Sequence, residues 1–513
     1  MRTIFDRTVK TDFFPSEIGD YELISLWLER SAPSKKQYIL DLVYTNFSIY
    51  EDIYSNCLSG KVGILDSTNL LSEVPIIGEE YVQICFRSMN TKIAILVRMR
   101  VTGISEIERV NTNTNLYTLF LTSDVAIVNE KQKISRSYHR GSLSAMVSDI
   151  CKNYLNLVDE STVSIKETNE YIIKEKNASV NYFTIETESG HVEKYVVPSL
   201  TPFRTINKLC KRSVSKTGSL FFFFQDINRF RFVSLEDIFK RKRDDNRVKT
   251  LVYIPKDILT KNKLTIWNII YDYKIVNRFD IFKNMSRGMY SSNVDFIDLE
   301  KRNVKNKRYY YQEDAKKQYH VNDGKSLLST DYTDFLHNSS VGEKPLTVNE
   351  VVLFQSGDYE SQNFSEHRPE MYQRRMSIQS QIDSLVIQIE MPGDSSGNIN
   401  VGDIVYFYVP EGEEDKEDIY LTGKYLVTRI HHSIDKSEKY KLLIEMITDT
   451  ISEGYRTDKE FKQTDISVKT ESEDIVLEAD RELADTSLLS AEIQKIVNEE
   501  KRKQRLQLFT GGE

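Results

Sequence analysis

Cysteine is scarce in this sequence: Cys57, Cys85, Cys151 and Cys210 are the four in 513 residues, and each stands alone. A zinc site needs ligands paired at short spacing and a secreted disulfide framework needs tighter clustering, so buried free thiols are expected. Long apolar runs are also missing. No stretch approaches the roughly 18 residues of a membrane span, and the opening Met1-Arg2-Thr3-Ile4-Phe5-Asp6-Arg7 lacks the apolar core of a signal peptide. These absences point to a chain made in a reducing cytoplasm. Glycine (20) and proline (10) are modest beside 29 Tyr and 24 Phe, a balance that favours strands over disorder. A basic excess is absent too, and the net charge of -8 speaks against a general nucleic-acid or anionic-membrane binder.

Motifs that carry chemistry are missing as well. There is no nucleophile elbow, Ser-His-Asp pairing, Gly-rich phosphate loop or His-Glu-x-x-His. His431 and His432 are adjacent inside an expected strand, so their side chains leave opposite faces and cannot share one metal. Glu413-Glu414 with Glu417-Asp418 lacks the ligand spacing and turn glycine of a calcium loop and reads as a solvated hairpin tip. Lys240-Arg241-Lys242-Arg243 runs straight into Asp244-Asp245 and reads as a charged loop. Phe221 to Phe224 could stack on bases, but four consecutive Phe cannot face one side of a strand, so a strand buried on both faces is expected. No catalytic residue, cofactor or metal is assigned.

What is present is strand pattern. In Leu385-Val386-Ile387-Gln388-Ile389-Glu390-Met391 the apolar residues recur at period two, until Pro392-Gly393-Asp394 breaks the run. Val401 to Phe407, Gly423 to Ile430 and Tyr440 to Met446 follow without an intervening helix, as in an antiparallel meander or small barrel. Near the N-terminus, Tyr38 to Tyr44 reads as a strand that runs on through Phe47 and Ile49. Leu70 to Glu80 reads as a loop around Pro75 and Gly78, leading to Tyr81 to Phe86. Ala94 to Val101 and Leu116 to Val128 complete an all-β unit of about 130 residues.

Helical spacing starts at Ser142, a plausible cap, with Leu143, Met146, Val147, Ile150, Cys151 and Tyr154 on one face. Weak strands are read at Tyr171 to Ile173 and Tyr182 to Ile185. A second helix begins after Pro202, and Phe221 to Val233 reads as a hairpin. Asn268 to Met285 is mixed, Gly288 to Asp298 resumes as strands, and the polar stretch Gln312 to Arg375 looks like an insertion. Asp458 to Glu473 is a charged linker. Ser487 to Arg505 then forms an amphipathic helix, with Leu488, Leu489, Ile493, Ile496 and Val497 on its apolar face. An isolated helix of this length is marginal in water, so two readings stand: this face docks on a partner protein, or the segment is a disordered, charged C-terminus.

The order of these pieces resembles a known family. The residues are Gly60 to Ser67 leading through Ile76-Ile77-Gly78-Glu79-Glu80 to a strand, and Thr205 to Ser213 followed by Phe221 to Asp226. Asn400 to Val405 with Tyr425 to His432, and Gly288-Met289-Tyr290 to Asp298, complete the set. Together they resemble the central baseplate hub of contractile-tailed phages and the related type VI secretion spike proteins. The resemblance implies a mainly β fold with an α+β part. Two tail-tube-like β-barrel domains would occupy residues 1–131 and 251–311 with 376–452. An α+β domain (132–250) separates them, 312–375 is an insertion, and 453–513 is a linker and helical tail.

It also implies a non-enzymatic homotrimer whose six barrels adapt a six-fold tail tube to a three-fold central spike around a lumen for the genome. Its partners would be the tube ring, the spike, baseplate wedge proteins and a tape-measure protein, in a virion tail assembled in the host cytoplasm. Three chains at -8 suggest a neutral or acidic pore. The alternatives are a tail-tip hub of a long non-contractile tail, a cell-wall hydrolase, for which no acid pair or metal module is found, and a carbohydrate-binding β protein.

Overall fold

Period-two alternation shapes most of the chain. The computed structural model describes residues 19–450, apart from 161–180, 255–267, 311–318, 323–345, 349–372 and shorter stretches of up to seven residues. The first unit holds β1 (Tyr21–Arg30), β2 (Gln37–Ile39), β3 (Tyr44–Asp52), β4 (Ser59–Asp66), β5 (Glu80–Ser88), β6 (Ile95–Ile104), β7 (Glu108–Asn111) and β8 (Thr114–Ser123), with the short helix α1 (Leu70–Glu73). Next come α2 (Asp124–Glu130), β9 (Ile134–Ser142), α3 (Leu143–Asn153), β10 (Val158–Asp159), β11 (Tyr182–Ile185), β12 (Val192–Leu200) and α4 (Pro202–Arg212). The hairpin β13 (Phe221–Gln225) and β14 (Phe230–Ser234) and the helix α5 (Leu235–Arg243) follow. The remainder holds β15 (Lys249–Tyr253), β16 (Ile269–Ile270), β17 (Asp272–Asn277), a helix Ile281–Ser286, β18 (Ser291–Asp298), β19 (Asn303–Tyr310), β20 (Leu346–Val348), a helix at 373–382, β21 (Leu385–Pro392), β22 (Ile404–Tyr408), β23 (Gly423–Asp435) and β24 (Tyr440–Thr448). The fold is mainly β.

In the first unit the strands pair antiparallel in the order β3-β4-β8-β6-β5-β1-β2. The two ends of this path meet at a turn. Leu40 N–H donates to Leu26 O at 2.9 Å, and Val43 and Tyr44 N–H both donate to Leu40 O before the chain enters β3. The Tyr21 hydroxyl on β1 lies 3.0 Å from that of Tyr44 on β3. The second unit closes by a different device. β17-β21-β24-β23-β22-β15-β16 pair in that order, and β16 and β17 are neighbours in sequence on either side of Tyr271. One short segment therefore pairs with β15 in parallel at Ile269–Ile270 and with β21 antiparallel from Asp272, Tyr271 N–H donating to Glu390 O at 2.8 Å between them.

The two units share one sheet. β23 is thirteen residues long, and its first half pairs with β22 while Arg429 to Asp435 pair with Asp52 to Asn46 of β3. The apolar faces of both units form one continuous core, in which Phe47, Phe86, Ile387, Phe407, Tyr440 and Met446 are fully buried. The α+β segment has its own core beneath α3 and α4. The Ser142 hydroxyl caps α3 by accepting from Ala145 N–H at 3.2 Å, as its position predicts. Phe221 and Phe223 enter this second core and Phe224 the barrel core, so β13 is buried on both faces as expected. Gly402, at φ +83°, lets Phe224 and Arg231 approach: a Cβ there would stand 3.0 Å from the Phe224 ring.

Several local expectations are corrected. Tyr38 to Tyr44 is not one strand, because β2 ends at Ile39 and a turn precedes β3. The Asp41 carboxylate in this turn reaches back to β1 and accepts from Leu26 N–H at 2.8 Å. Leu116 to Val128 changes from strand to helix at Asp124, whose carboxylate accepts from Tyr81 and Arg100. Leu70 to Glu80 contains α1, seated by four backbone and hydroxyl donors that converge on Asp66. Lys240 to Arg243 is the last turn of α5 rather than a loop. Within the stretch read as an insertion, His320 pairs with Asp449 at 2.7 Å and buried Asn322 bonds Lys424, Thr448 and Thr450. Residues 319–322 thus rest on the second barrel. Tyr171 to Ile173 lies outside the described residues.

Candidate functional site

The residues assigned to partner binding, Leu488, Leu489, Ile493, Ile496 and Val497, lie outside the described residues. The most elaborate polar arrangement is at the seam where β3 and β23 join the barrels. Consecutive strand residues face opposite sides, so His431 and His432 address the two faces of β3. His432 points inward: Nε2 is 2.9 Å from Glu51 Oε1 and Nδ1 is 2.7 Å from the Tyr440 hydroxyl. The other Glu51 oxygen accepts from Ile227 N–H of the α+β segment at 2.9 Å. Tyr440 also reaches Asp394 O at 3.4 Å, and the Asp394 carboxylate pairs with Lys249 Nζ at 2.9 Å.

Burial explains why each of these groups has a partner, since a lone polar group in such a place costs several kcal/mol. Burial alone would raise the Asp394 carboxyl, but the Lys249 ammonium and the hydrogen bonds from Ser396 together hold the group below the usual carboxylate range. Burial, with Asp394 and Glu51 nearby, pushes the Tyr440 phenol far up, so it stays protonated. Asp226, beside Glu51 and at 3.9 Å from Arg231, is pushed up to about 6 by burial against the opposing pull of Arg231. A small cavity of about 100 Å³ lies against this chain, lined by Glu51, His432, Asp394, Gln225 and Arg229 among others.

On the outer face His431 stacks on Tyr50, ring centroids 4.3 Å apart. Burial, then Lys61 and His432, push its pKa down to about 4. A groove of about 630 Å³ runs past this pair and past Arg429, which is held by Asp52 at 2.9 Å and Glu445 at 3.0 Å. Both ring nitrogens of His432 are engaged inside the protein, so it has none to offer a metal or a substrate proton. Among the described residues no three His, Cys, Asp or Glu side chains converge as a metal site. Cys85, Cys151 and Cys210 are buried free thiols and Cys57 is half-buried.

The opposite-face placement of the two histidines was legible from their adjacency. Glu51, Tyr440, Asp394 and Lys249 were not singled out, and the only local signal was a carboxylate, Glu51, falling at an inward position of a strand.

Several solved structures resemble this chain. A 43 kDa tail protein of a Shewanella oneidensis prophage aligns over 83% of this chain and 99% of its own, at 10% identity and a TM-score of 0.45. A tail protein from Neisseria meningitidis aligns over 84% and 97%, at 8% identity and a TM-score of 0.45. An E. coli component of the type VI secretion system, described as similar to T4 bacteriophage tail proteins, aligns over 81% and 76%, at 9% identity and a TM-score of 0.38. No protein-family model and no curated protein matches the sequence. Among the described residues no helix is long and apolar enough to cross a membrane.

Proposed function

We propose that this chain is a structural hub of a phage-type tail baseplate, acting as a trimer that joins a six-fold tail tube to a three-fold spike. The observation that carries this reading is a single sheet face to which both barrels contribute. One row of paired residues crosses seven strands without a break: Thr122, Ser59, Tyr50, His431, Leu443, Glu390 and Asp272. At ~4.8 Å between strands, three such faces set edge to edge give roughly 100 Å of circumference and a bore of about 30 Å. That bore is wide enough for duplex DNA.

The face is close to neutral. Lys61, Lys274, Arg429 and Lys441 stand among Asp52, Asp272, Glu390, Asp435 and Glu445 at its outward positions. A neutral wall does not exchange phosphate counterions for fixed cations, so DNA would slide rather than bind. The role is structural, with the tube ring and spike as axial partners and the wedge and tape-measure proteins as further candidates. Image reconstruction of the chain assembled with its tube protein tests this reading. Three copies with Tyr50, His431 and Leu443 on the bore are expected. A hexamer of single-barrel contacts, or a bore lined by another face, would overturn it.

The tail is part of the same proposal. Ser487 to Arg505 docks through Leu488, Leu489, Ile493, Ile496 and Val497 on a neighbouring tail protein, the extended linker reaching tens of ångströms at ~3.3 Å per residue. Truncation after Ser452 should leave trimers that lose one partner, and Ile493→Asp with Ile496→Asp should reproduce the loss. Unchanged affinity for tube and spike would refute the docking.

A further inference from the structure

The ladder between the barrels is short, running from Arg429 to Asp435 against Asp52 to Asn46. Side chains clasp it on both faces, through Glu51 and His432 inside and through Tyr50 and His431 outside. We propose that this seam is an acid-sensitive joint, held shut while the His431 ring is neutral and opened, with both barrels still folded, when that ring takes up a proton.

The surroundings of His431 are those of a site built for a neutral ring. Its Nε2 is buried with no hydrogen-bond partner. From β4, Lys61 stands 5.9 Å over the same Tyr50 ring, so the ring that would attract a second cation already has one. From β3 and β24, the carboxylates Asp52 and Glu445 are engaged with Arg429 of β23 itself. Glu51 and His432 face the other side and bond each other. Leu443 of β24 is the cross-strand neighbour. An imidazolium here meets burial and like charge, while the two flanking carboxylates, Asp52 and Glu445, already hold Arg429.

The direction follows from linkage. The closed seam holds the ring at about 4, below the ordinary value of 6.5 that it regains on opening. The closed state's advantage is complete above about pH 6.5 and is lost as pH falls towards 4. Asp226 on the α+β side acts the other way: it takes up its proton near pH 6 within the folded protein, so mild acid does not loosen that contact. At pH 5 the linkage ceiling is roughly 30-fold in the opening equilibrium. The half-exposed position of His431 reduces the expected effect to about 10-fold.

Hydrogen exchange of the full chain at pH 7.5 and 5.0, corrected for intrinsic exchange rates, reads this directly. Strands β3 and β23 should lose about 10-fold in protection at pH 5 relative to the β5–β6 ladder. His431→Phe keeps an aromatic ring against Tyr50 and removes the proton, so its seam protection should be equal at the two pH values. His431→Ala should exchange fast at the seam at both. Three results would each overturn the proposal: no relative change in the wild-type seam, an undiminished pH effect in His431→Phe, or an equal loss across β5 and β6.

Discussion

The two barrels and the α+β segment are attached to one another by different means. Between the barrels runs a backbone ladder, β3 with β23, which makes them one sheet and one core. Among the described residues the α+β segment has no strand in that sheet. It is held by an apolar face that joins the barrel core, with Phe224, Val233, Leu235 and Ile238 buried there, and by side chains that reach backbone groups: Asn56 donates to Phe223 O at 2.7 Å, Gln225 accepts from Leu58 N–H at 3.2 Å and Arg231 donates to Val401 O at 2.9 Å. A ladder fixes backbone register along its whole length, whereas side-chain packing and single hydrogen bonds fix none. While the seam is shut the barrels should therefore behave as one mechanical body and the α+β segment as a docked part.

The sharpest way to break the first half of this comparison is at Gly393, whose N–H donates to Tyr440 O at 2.8 Å beneath the seam. A Cβ there would lie 2.0 Å from the Tyr440 ring, which cannot yield because its hydroxyl is bound to His432. Gly393→Ala is expected to cost about 3 kcal/mol or more and to lower the unfolding transition of both barrels together. Calorimetry showing one barrel melting alone would contradict the single body.

The second half is tested at Arg231, which is buried and bridges Glu186 at 2.6 and 3.2 Å while contacting Val401. Arg231→Met takes the guanidinium away from buried Glu186 and Asp226, for roughly 3–5 kcal/mol. Limited proteolysis should then cut the α+β segment early and leave the barrels intact. Equal cleavage of both would mean that docking and barrel stability are not separable.

A smaller and opposite effect is expected from Asp226→Asn. The wild-type carboxyl has a folded value of about 6 against an ordinary 3.8. Its folded state therefore binds the proton more tightly and loses stability as pH rises through that window. The amide should be more stable than wild type by about 1–3 kcal/mol at pH 7.5, with the gap closing below pH 5. Denaturant titrations at the two pH values measure it. A gap that widens in acid would reverse the assigned direction.

How much of this was legible in the sequence depended on the range over which each feature is encoded. The alternation of Leu385 to Met391, the cap at Ser142 and the two-faced burial of Phe221 to Phe224 are local, and they stand in the structure as their patterns predict. The apolar spacing Leu235, Ile238, Phe239 was equally local and was obscured by the basic run behind it. The strand switch at Tyr271 and the seam are another matter, because nothing near residue 51 marks it as the partner of residue 432. A buried Glu reads in sequence as any charged residue until the strand that covers it is known.

One consequence of the seam belongs to the ribosome rather than to the finished protein. Glu51 and His432 are 381 residues apart in the chain. At 5–20 residues per second, roughly 20–80 s pass between the synthesis of β3 and that of its partner. Throughout that interval the first barrel carries an unpaired strand edge, the kind of surface on which nascent chains join one another wrongly. Slower translation of the C-terminal half should therefore raise the fraction of chains lost to aggregation. The yield of soluble protein would then depend on the speed at which its last strands are made.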